Sequence, residues 1–324
     1  MVTFARMSAP TNMKVTKYYP PGGPDKLMYE NQQVPTPSKG EVLIKVHAAG
    51  LIWTELTWPI YQDKLGNFIP HIPAHDFAGV IEVLGPECEN HKFQIGTEVY
   101  GFTSRRNHQG ALAEYVLADE DQVVLKPSNI SLIEAAAVPL SALTAWQAIH
   151  EHVGLQHGQT LLVTGGAGGT GIFAVPIAKH LGARVIATAS DPKSKQMLQA
   201  LNVDEIIDYK HTELIEAVSD VDAVLDCVGG AVFDQALKVV KPAGVVVSIC
   251  VWGAEAQAEA VGRKGKFFIV RMDQGQLDQI TTAIENGLMR PKIDSVYSLE
   301  RSREAFEYAA EGHVHGKVVI TPHE

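Results

Sequence analysis

Cysteine is scarce in this chain: three in 324 residues, Cys88, Cys227 and Cys250, widely separated and never in Cys-x-x-Cys spacing. That argues against a disulfide framework or a four-thiolate zinc lobe and leaves isolated reduced thiols. Positive charge is also short. With 27 Lys+Arg against 37 Asp+Glu the formal charge is -10, a balance that repels phosphate backbones and anionic lipid and makes nucleic acid a poor partner. Met1 to Asn12 carries one Arg and no apolar run of signal-peptide length, and the longest apolar stretches elsewhere are broken by Gly, Pro or charge. The expected setting is therefore cytoplasmic, with no membrane partner, although import into an organelle stays open. Internal repeats and low-complexity segments are missing as well.

What is present is ordinary globular material, 46% hydrophobic and 20% charged, long enough for about two domains. From Met13 to about Val124, short apolar runs (Val42 to Val46, Val80 to Val83, Glu98 to Phe102, Ala113 to Leu117) alternate with turn residues such as Pro20-Pro21-Gly22-Gly23 and Ser38-Lys39-Gly40. That texture predicts a compact antiparallel β domain. Near Ser128 it changes. Ser131-Leu132-Ile133-Glu134 has the spacing of a capping box ahead of an Ala-rich helical stretch. From Thr160 strands alternate with helices, the pattern of a doubly wound parallel sheet with both faces covered. After Phe267-Phe268-Ile269-Val270 a helix, an extended run, a second helix and a last strand (Lys317 to Thr321) cannot extend that sheet naturally, so the tail is expected to return to the β domain. The division expected is residues 1–126 with 271–324 for the β-rich domain, discontinuous in sequence, and 127–270 for the parallel-sheet domain.

The strand Leu161 to Thr164 runs into Gly165-Gly166-Ala167-Gly168-Gly169-Thr170-Gly171 and then a helix. Gly166, Gly168 and Gly171 satisfy G-x-G-x-x-G in the strand-turn-helix context that a dinucleotide-binding turn requires. The first glycine is expected to permit the tight turn, the second to let backbone approach a pyrophosphate, and the third to let the helix pack close. Free N–H groups at the helix start, from Gly166 through Ala167, Gly168 and Gly169 to Thr170, would face the anion. Cofactor choice turns on the end of the second strand. Ser190, Lys193, Lys195 and Tyr209 form a hydroxyl-and-cation set suited to the 2′-phosphate of NADPH. The competing reading makes Asp191 a ribose-binding acid, as in NAD enzymes, with both lysines merely solvated.

Together with these features, His75-Asp76-Phe77-Ala78-Gly79-Val80-Ile81, Gly96 to Gly101, Gly110 to Val116, Ala135 to Trp146, Asp226-Cys227-Val228-Gly229-Gly230 and Gly316 to Ile320 resemble the medium-chain dehydrogenase/reductase superfamily, most closely its zinc-independent quinone oxidoreductase and enoyl reductase branch. The resemblance runs from about Met13 to the C-terminus. It implies an α/β chain with a GroES-like β-rich catalytic domain, a Rossmann domain, an active site in the cleft between them, and a homodimer. By the same resemblance Thr144 contacts the nicotinamide end, Val228 and Phe268 belong to the cofactor site, and Ser190, Lys195 and Tyr209 accept the 2′-phosphate. In an ungapped count the family's frequent lysine falls on Ser194, which leaves the choice between Lys193 and Lys195 open.

Zinc enzymes of the superfamily take a ligand from a cysteine where this chain has Ile52, and the His-Glu pair survives as His75-Asp76. A catalytic zinc needs three protein ligands, so no metal is expected. Without a Lewis acid, hydride transfer to a quinone or to the β carbon of an α,β-unsaturated carbonyl is easier than reduction of a simple ketone, because the charge delocalises onto an oxygen that hydrogen bonds can hold. Relatives place substrate-facing residues where this chain has Trp53, Glu55 and Trp58, with aromatic rings to stack on a planar substrate and Tyr61 as the candidate proton donor. Relatives also carry an Asn where Ile52 stands, so the pocket is expected to be more apolar. Two other readings remain: a zinc-type alcohol or carbonyl dehydrogenase using residual ligands, and a catalytically silent NADPH-binding protein.

Overall fold

The computed structural model describes residues 10–58, 62, 69–88, 93–103 and 109–322. β1 (Asn12–Tyr18) and β2 (Leu27–Gln33) form an antiparallel ribbon. The main antiparallel sheet holds β3 (Glu41–Gly50), β4 (Asp76–Leu84), β5 (Glu98–Phe102), β6 (Tyr115–Asp119) and β7 (Val123–Leu125). β3 touches β4, β6 and the C-terminal strand, which is why Val42, Leu43 and Ile44 are buried in succession rather than in alternation. The apolar runs of the sequence thus fall on strands.

The capping box forms as its spacing predicts. Ser131 Oγ accepts from the Glu134 amide, and the Glu134 carboxylate accepts from the Ser131 amide. It opens only the short α1 (Leu132–Ala135), because Pro139 starts a new helix, α2 (Pro139–Gln147), which runs on through a π-helical segment, Ala148–Val153. Then follow β8 (Thr160–Val163), α3 (Gly171–His180), β9 (Arg184–Thr188), α4 (Pro192–Ala200), β10 (Glu205–Ile207), α5 (Leu214–Ala217), β11 (Val221–Asp226), α6 (Ala231–Val239), β12 (Val240–Ser248), α7 (Ala254–Glu259) and β13 (Lys264–Phe267). The six strands pair in parallel in the order β10-β9-β8-β11-β12-β13. The order reverses between β8 and β11, and such a switch point opens the crevice in which dinucleotides bind.

The tail comprises α8 (Gln274–Glu285), β14 (Ile293–Ser298), α9 (Ser302–Ala310) and β15 (Lys317–Thr321). As expected, it returns to the antiparallel sheet: β15 inserts between β14 and β3, antiparallel to β3 with Val319 opposite Gly50. The two sheets share a core. Tyr100 and Phe102 of β5 belong to one apolar cluster with Leu143 of α2, Phe173 of α3 and Leu277 of α8. Among the described residues no helix is long and apolar enough to cross a membrane.

Candidate active site

The glycine turn joins β8 to α3. Its tight corner is Gly165, at φ +65°, and this corrects the expectation that Gly166 supplies it. Gly166 is there for closeness instead: a Cβ on it would lie 2.8 Å from Ala187 Cβ and 3.1 Å from a Leu198 methyl. Gly171 behaves as expected, since a Cβ there would meet the carbonyl oxygens of Gly166 and Gly165 at 2.5 and 2.6 Å. At Gly168 a Cβ would lie 3.2 Å from Gly165 O, a tight contact with the oxygen that accepts the Gly168 amide. The helical ladder begins with the Ile172 amide donating to Gly168 O, so the amides of Gly169, Thr170 and Gly171 precede it and suit a pyrophosphate. From across the cleft, the Gly316 amide donates to Ala167 O at 3.0 Å.

At the adenosine end, the structure separates the two candidate lysines. Lys195 Nζ lies 2.6 Å from Asp208, beside Tyr209 at the end of β10, and Ala189 pairs with Ile207 so that Ser190 comes to the same edge. Lys193 Nζ reaches the other way, to Asp294 of β14 at 3.2 Å. Ser194 is buried, its hydroxyl and amide both donating to Asp191. Asp191 is the N-cap of α4. Burial alone would raise its pKa, but the Ser194 donors and His315 outweigh that and hold the carboxyl well below the usual range. Lys195 and His211 likewise hold Asp208 down, to about 2.

The middle of the crevice is organised by Asp226, fully buried at the end of β11. Its carboxylate accepts from Thr164 Oγ1 at 2.8 Å, Ser248 Oγ at 2.7 Å, and the amides of Val228 and Gly229. These bonds fix the loops after β8, β11 and β12 together. They set Val228 over the glycine turn, its Cγ2 3.3 Å from where a Gly165 Cβ would be. Burial pushes the neighbouring Cys227 thiol well up and Cys250 up to about 12, so both stay protonated. Thr144 is buried on α2 and donates to Leu140 O at 2.6 Å, leaving its oxygen to accept. Phe268, expected near the nicotinamide, follows β13 and contacts the π-helical segment after α2. Its ring packs on His152 at 4.3 Å between centroids, about two helical turns beyond Thr144.

On the substrate side, the segment Trp53–Thr57 is a 3-10 helix. Trp53 is 50% exposed. Trp58 stacks on His75, ring centroids 5.8 Å apart and 11° from parallel, and His75 meets Phe102 edge-on. His75 Nδ1 lies 3.3 Å from Thr103 Oγ1. Glu55, expected in the substrate pocket, is fully buried, with Oε1 accepting from the Ala74 amide and Oε2 without a hydrogen-bond partner among the described residues. Ala74 needs that anchor, since its φ of +65° is strained for a residue with a Cβ. Burial pushes the Glu55 carboxyl up to about 8, against the pull of the Ala74 amide and Lys317. Tyr61 lies outside the described residues.

Lys317 and Asp76 complete the site, and no sequence motif singles out Lys317 for it. Lys317 Nζ is 3.2 Å from Asp76 Oδ2, while Asp76 Oδ1 accepts the Leu140 amide at 2.7 Å. Burial pushes the Asp76 carboxyl up despite that ammonium. A zinc ion does not fit this donor set. Ile52 offers no sulfur, and a second cation would crowd Lys317. Among the described residues no group of three or more His, Cys, Asp and Glu side chains is arranged to hold a metal.

Comparison with known proteins agrees with this geometry. Residues 38–128 match the alcohol dehydrogenase GroES-like domain, and residues 201–320 match a family described as zinc-binding dehydrogenase. The chain is 34% identical to a 2-methylene-furan-3-one reductase of Solanum lycopersicum, over 99% of this chain and 82% of that one. It is 32% identical to a chloroplastic NADPH-dependent alkenal/one oxidoreductase of Arabidopsis thaliana, with 98% and 82% covered. The quinone oxidoreductase of Coxiella burnetii superposes with a TM-score of 0.88 at 30% identity, over 96% of this chain and 99% of that structure.

Proposed function

The chain belongs to the medium-chain dehydrogenase/reductase superfamily, and we propose that it is an NADPH-dependent reductase of quinones or of the activated C=C bond in α,β-unsaturated carbonyls, working without metal. One observation carries this reading: beside a glycine turn whose Gly169, Thr170 and Gly171 amides precede the α3 ladder, the carboxylate of the would-be metal pair is bonded to Lys317. Bound NADPH supplies a hydride. Of the glycine-turn amides expected from Gly166 to Thr170, that of Gly168 is committed to Gly165 O, so those of Gly169, Thr170 and the adjoining Gly171 would hold its pyrophosphate; Thr144 and Val228 would orient its reactive end, and Ser190, Lys195 and Tyr209 would accept the 2′-phosphate, with Lys193 nearby. Trp53 and Trp58 stack on the planar substrate and exclude water, while Tyr61 protonates the enolate or quinol oxygen. Phe268, whose ring packs on His152, would lie near the nicotinamide. The names of the two curated relatives and of the Coxiella structure support the substrate class.

The domain division at 126/127 and 270/271 is part of this reading, and so is a homodimer. Support for the dimer comes from β13, an edge strand flanked by exposed Trp252, Val261 and Ile269. The cytoplasm is the proposed compartment; the Arabidopsis relative is named as chloroplastic.

The test is NADPH oxidation against a panel of alkenals, cyclic enones, ortho- and para-quinones and simple ketones. Turnover of the conjugated compounds and none of the simple ketones is expected. Turnover of simple ketones alone, lost with a chelator, would replace this reading with the zinc dehydrogenase. Tight NADPH binding with no oxidation by any compound would leave a silent binder.

A further inference from the structure

His315 stands between two carboxylates that reach it from opposite sides of the cleft. Its Nε2 is 3.0 Å from Asp191 Oδ1, at the start of α4 in the nucleotide-binding half. Its backbone amide donates to Asp294 Oδ1 at 3.1 Å, and its Nδ1 lies 3.6 Å from the same oxygen on β14. Asp294 is itself immobilised: its side chain is 2% exposed, Oδ1 also takes Lys193 Nζ at 3.2 Å, and Oδ2 accepts Tyr308 OH at 2.7 Å. The next residue, Gly316, is bonded to the glycine turn through Ala167 O. The imidazole is therefore aimed, its position fixed by neighbours on both sides. A carboxylate only accepts, so Nε2 carries the proton that Asp191 receives.

The charges around Ser190 show what this contact does. Lys193 and Lys195 supply two cations, and Asp191, Asp208 and Asp294 supply three carboxylates. A 2′-phosphate arriving there would meet an excess of negative charge. Asp208 is bonded to Lys195 and His211, and Asp294 to Lys193 and Tyr308. Without His315, Asp191 would keep the Ser194 amide on Oδ1 and the Ser194 hydroxyl on Oδ2, and the acceptor position on Oδ1 that His315 now fills would be open to a ribose hydroxyl, the arrangement that favours NADH.

We propose that His315 is a positioning residue for cofactor selection: by bonding Asp191 across the cleft it withdraws that carboxylate from the ribose and leaves the 2′-phosphate to the lysines. This rests on the NADPH reading given above. It differs from a purely structural seam in acting on one cofactor and not the other, and in acting through Asp191.

Titration calorimetry with 2′,5′-ADP and 5′-AMP, which differ only by the 2′-phosphate, decides the matter. The full-length protein is compared with His315→Ala, His315→Gln and Asp191→Asn, Asn being a good N-cap that keeps α4 intact. His315→Ala is expected to lower the preference for 2′,5′-ADP about tenfold, with 5′-AMP binding unchanged or tighter. His315→Gln, which retains a donor, should recover most of the preference. In the Asp191→Asn background, His315→Ala should move the preference less than about twofold, because the residue it acts on is no longer an acid. Parallel weakening of both ligands, an unchanged preference, or the same tenfold change in the Asp191→Asn background would each overturn the role of His315. The wild-type preference is a separate reading: a wild type that does not favour 2′,5′-ADP overturns NADPH as the cofactor, while the change caused by His315→Ala still decides this proposal.

Discussion

Lys317 and Asp76 meet inside the protein, ammonium nitrogen to carboxylate oxygen at 3.2 Å, with side chains only 5% and 0% exposed. The pair ties β15 to β4 and, through the Leu140 amide, to the first turn of α2. Lys317 also borders the glycine turn, its Cδ 3.1 Å from where a Cβ on Gly169 would sit. One side chain therefore joins the support of the substrate pocket to the nucleotide turn.

Lys317→Met keeps the length and removes the charge. Breaking one partner out of a buried pair costs about 3–5 kcal/mol when the other stays ionised. Asp76 can escape part of that by taking a proton, since burial already pushes its pKa up. The loss should therefore be larger at pH 8 than at pH 5, about 3 kcal/mol at the higher pH, as measured by denaturant midpoints. A loss below about 1 kcal/mol at pH 8 would mean the pair does little for the fold.

Glu55 makes its own pH signature. Its carboxyl is raised from 4.5 to about 8 in the fold, so between those values the folded chain keeps a proton that the unfolded chain has lost. Its contribution is full below pH 4.5 and is lost as pH rises toward 8. Glu55→Gln resembles the protonated acid, retains an acceptor for the Ala74 amide and removes the titration. The wild type should lose stability relative to Glu55→Gln by more than about 1 kcal/mol between pH 5 and pH 8. Parallel curves for the two proteins would refute the shift.

Gly171→Ala sets two effects against each other. Alanine in a helix gains about 1 kcal/mol over glycine. Against this, the new methyl would meet the Gly166 and Gly165 carbonyl oxygens at 2.5 and 2.6 Å, backbone atoms that yield only if the turn opens. The clash should win. NADPH affinity by fluorescence titration should fall by at least about 30-fold, which corresponds to about 2 kcal/mol; a change under threefold would show that the turn has slack.

Lys195→Ala should weaken NADPH about tenfold and NADH less than twofold, consistent with losing one charge-assisted contact to phosphate. Lys193→Ala should do less, because its ammonium is committed to Asp294. Equal effects of both substitutions on both cofactors would place the 2′-phosphate elsewhere.

Much of this was legible before any coordinates. Helix and strand periods located the nucleotide sheet, and the capping box at Ser131 forms as its spacing predicts. The glycine pattern identified the turn but misplaced its corner, because a backbone dihedral at Gly165 has no signature among five glycines in seven residues. Glu55 was read as a pocket residue because chain proximity to Trp53 and Trp58 says nothing of direction; on a 3-10 helix it points inward to Ala74. His315 and Lys317 stayed unassigned for a different reason. Their partners, Asp191 and Asp76, lie far away in sequence, and only the insertion of β15 beside β3 brings them together. The single signal available was a glycine followed by a buried lysine in an otherwise apolar last strand.

That insertion also bears on how the chain matures. Val319 pairs with Gly50 in the interior of the antiparallel sheet, whereas every strand of the parallel sheet lies between Thr160 and Phe267. On the ribosome, the amino-terminal lobe is translated first yet must wait, unsealed, for a strand that emerges last, while the lobe behind it can already condense. The younger half is thus the natural scaffold on which the older half closes, and a nucleotide present during translation would have its cradle ready before the substrate pocket exists.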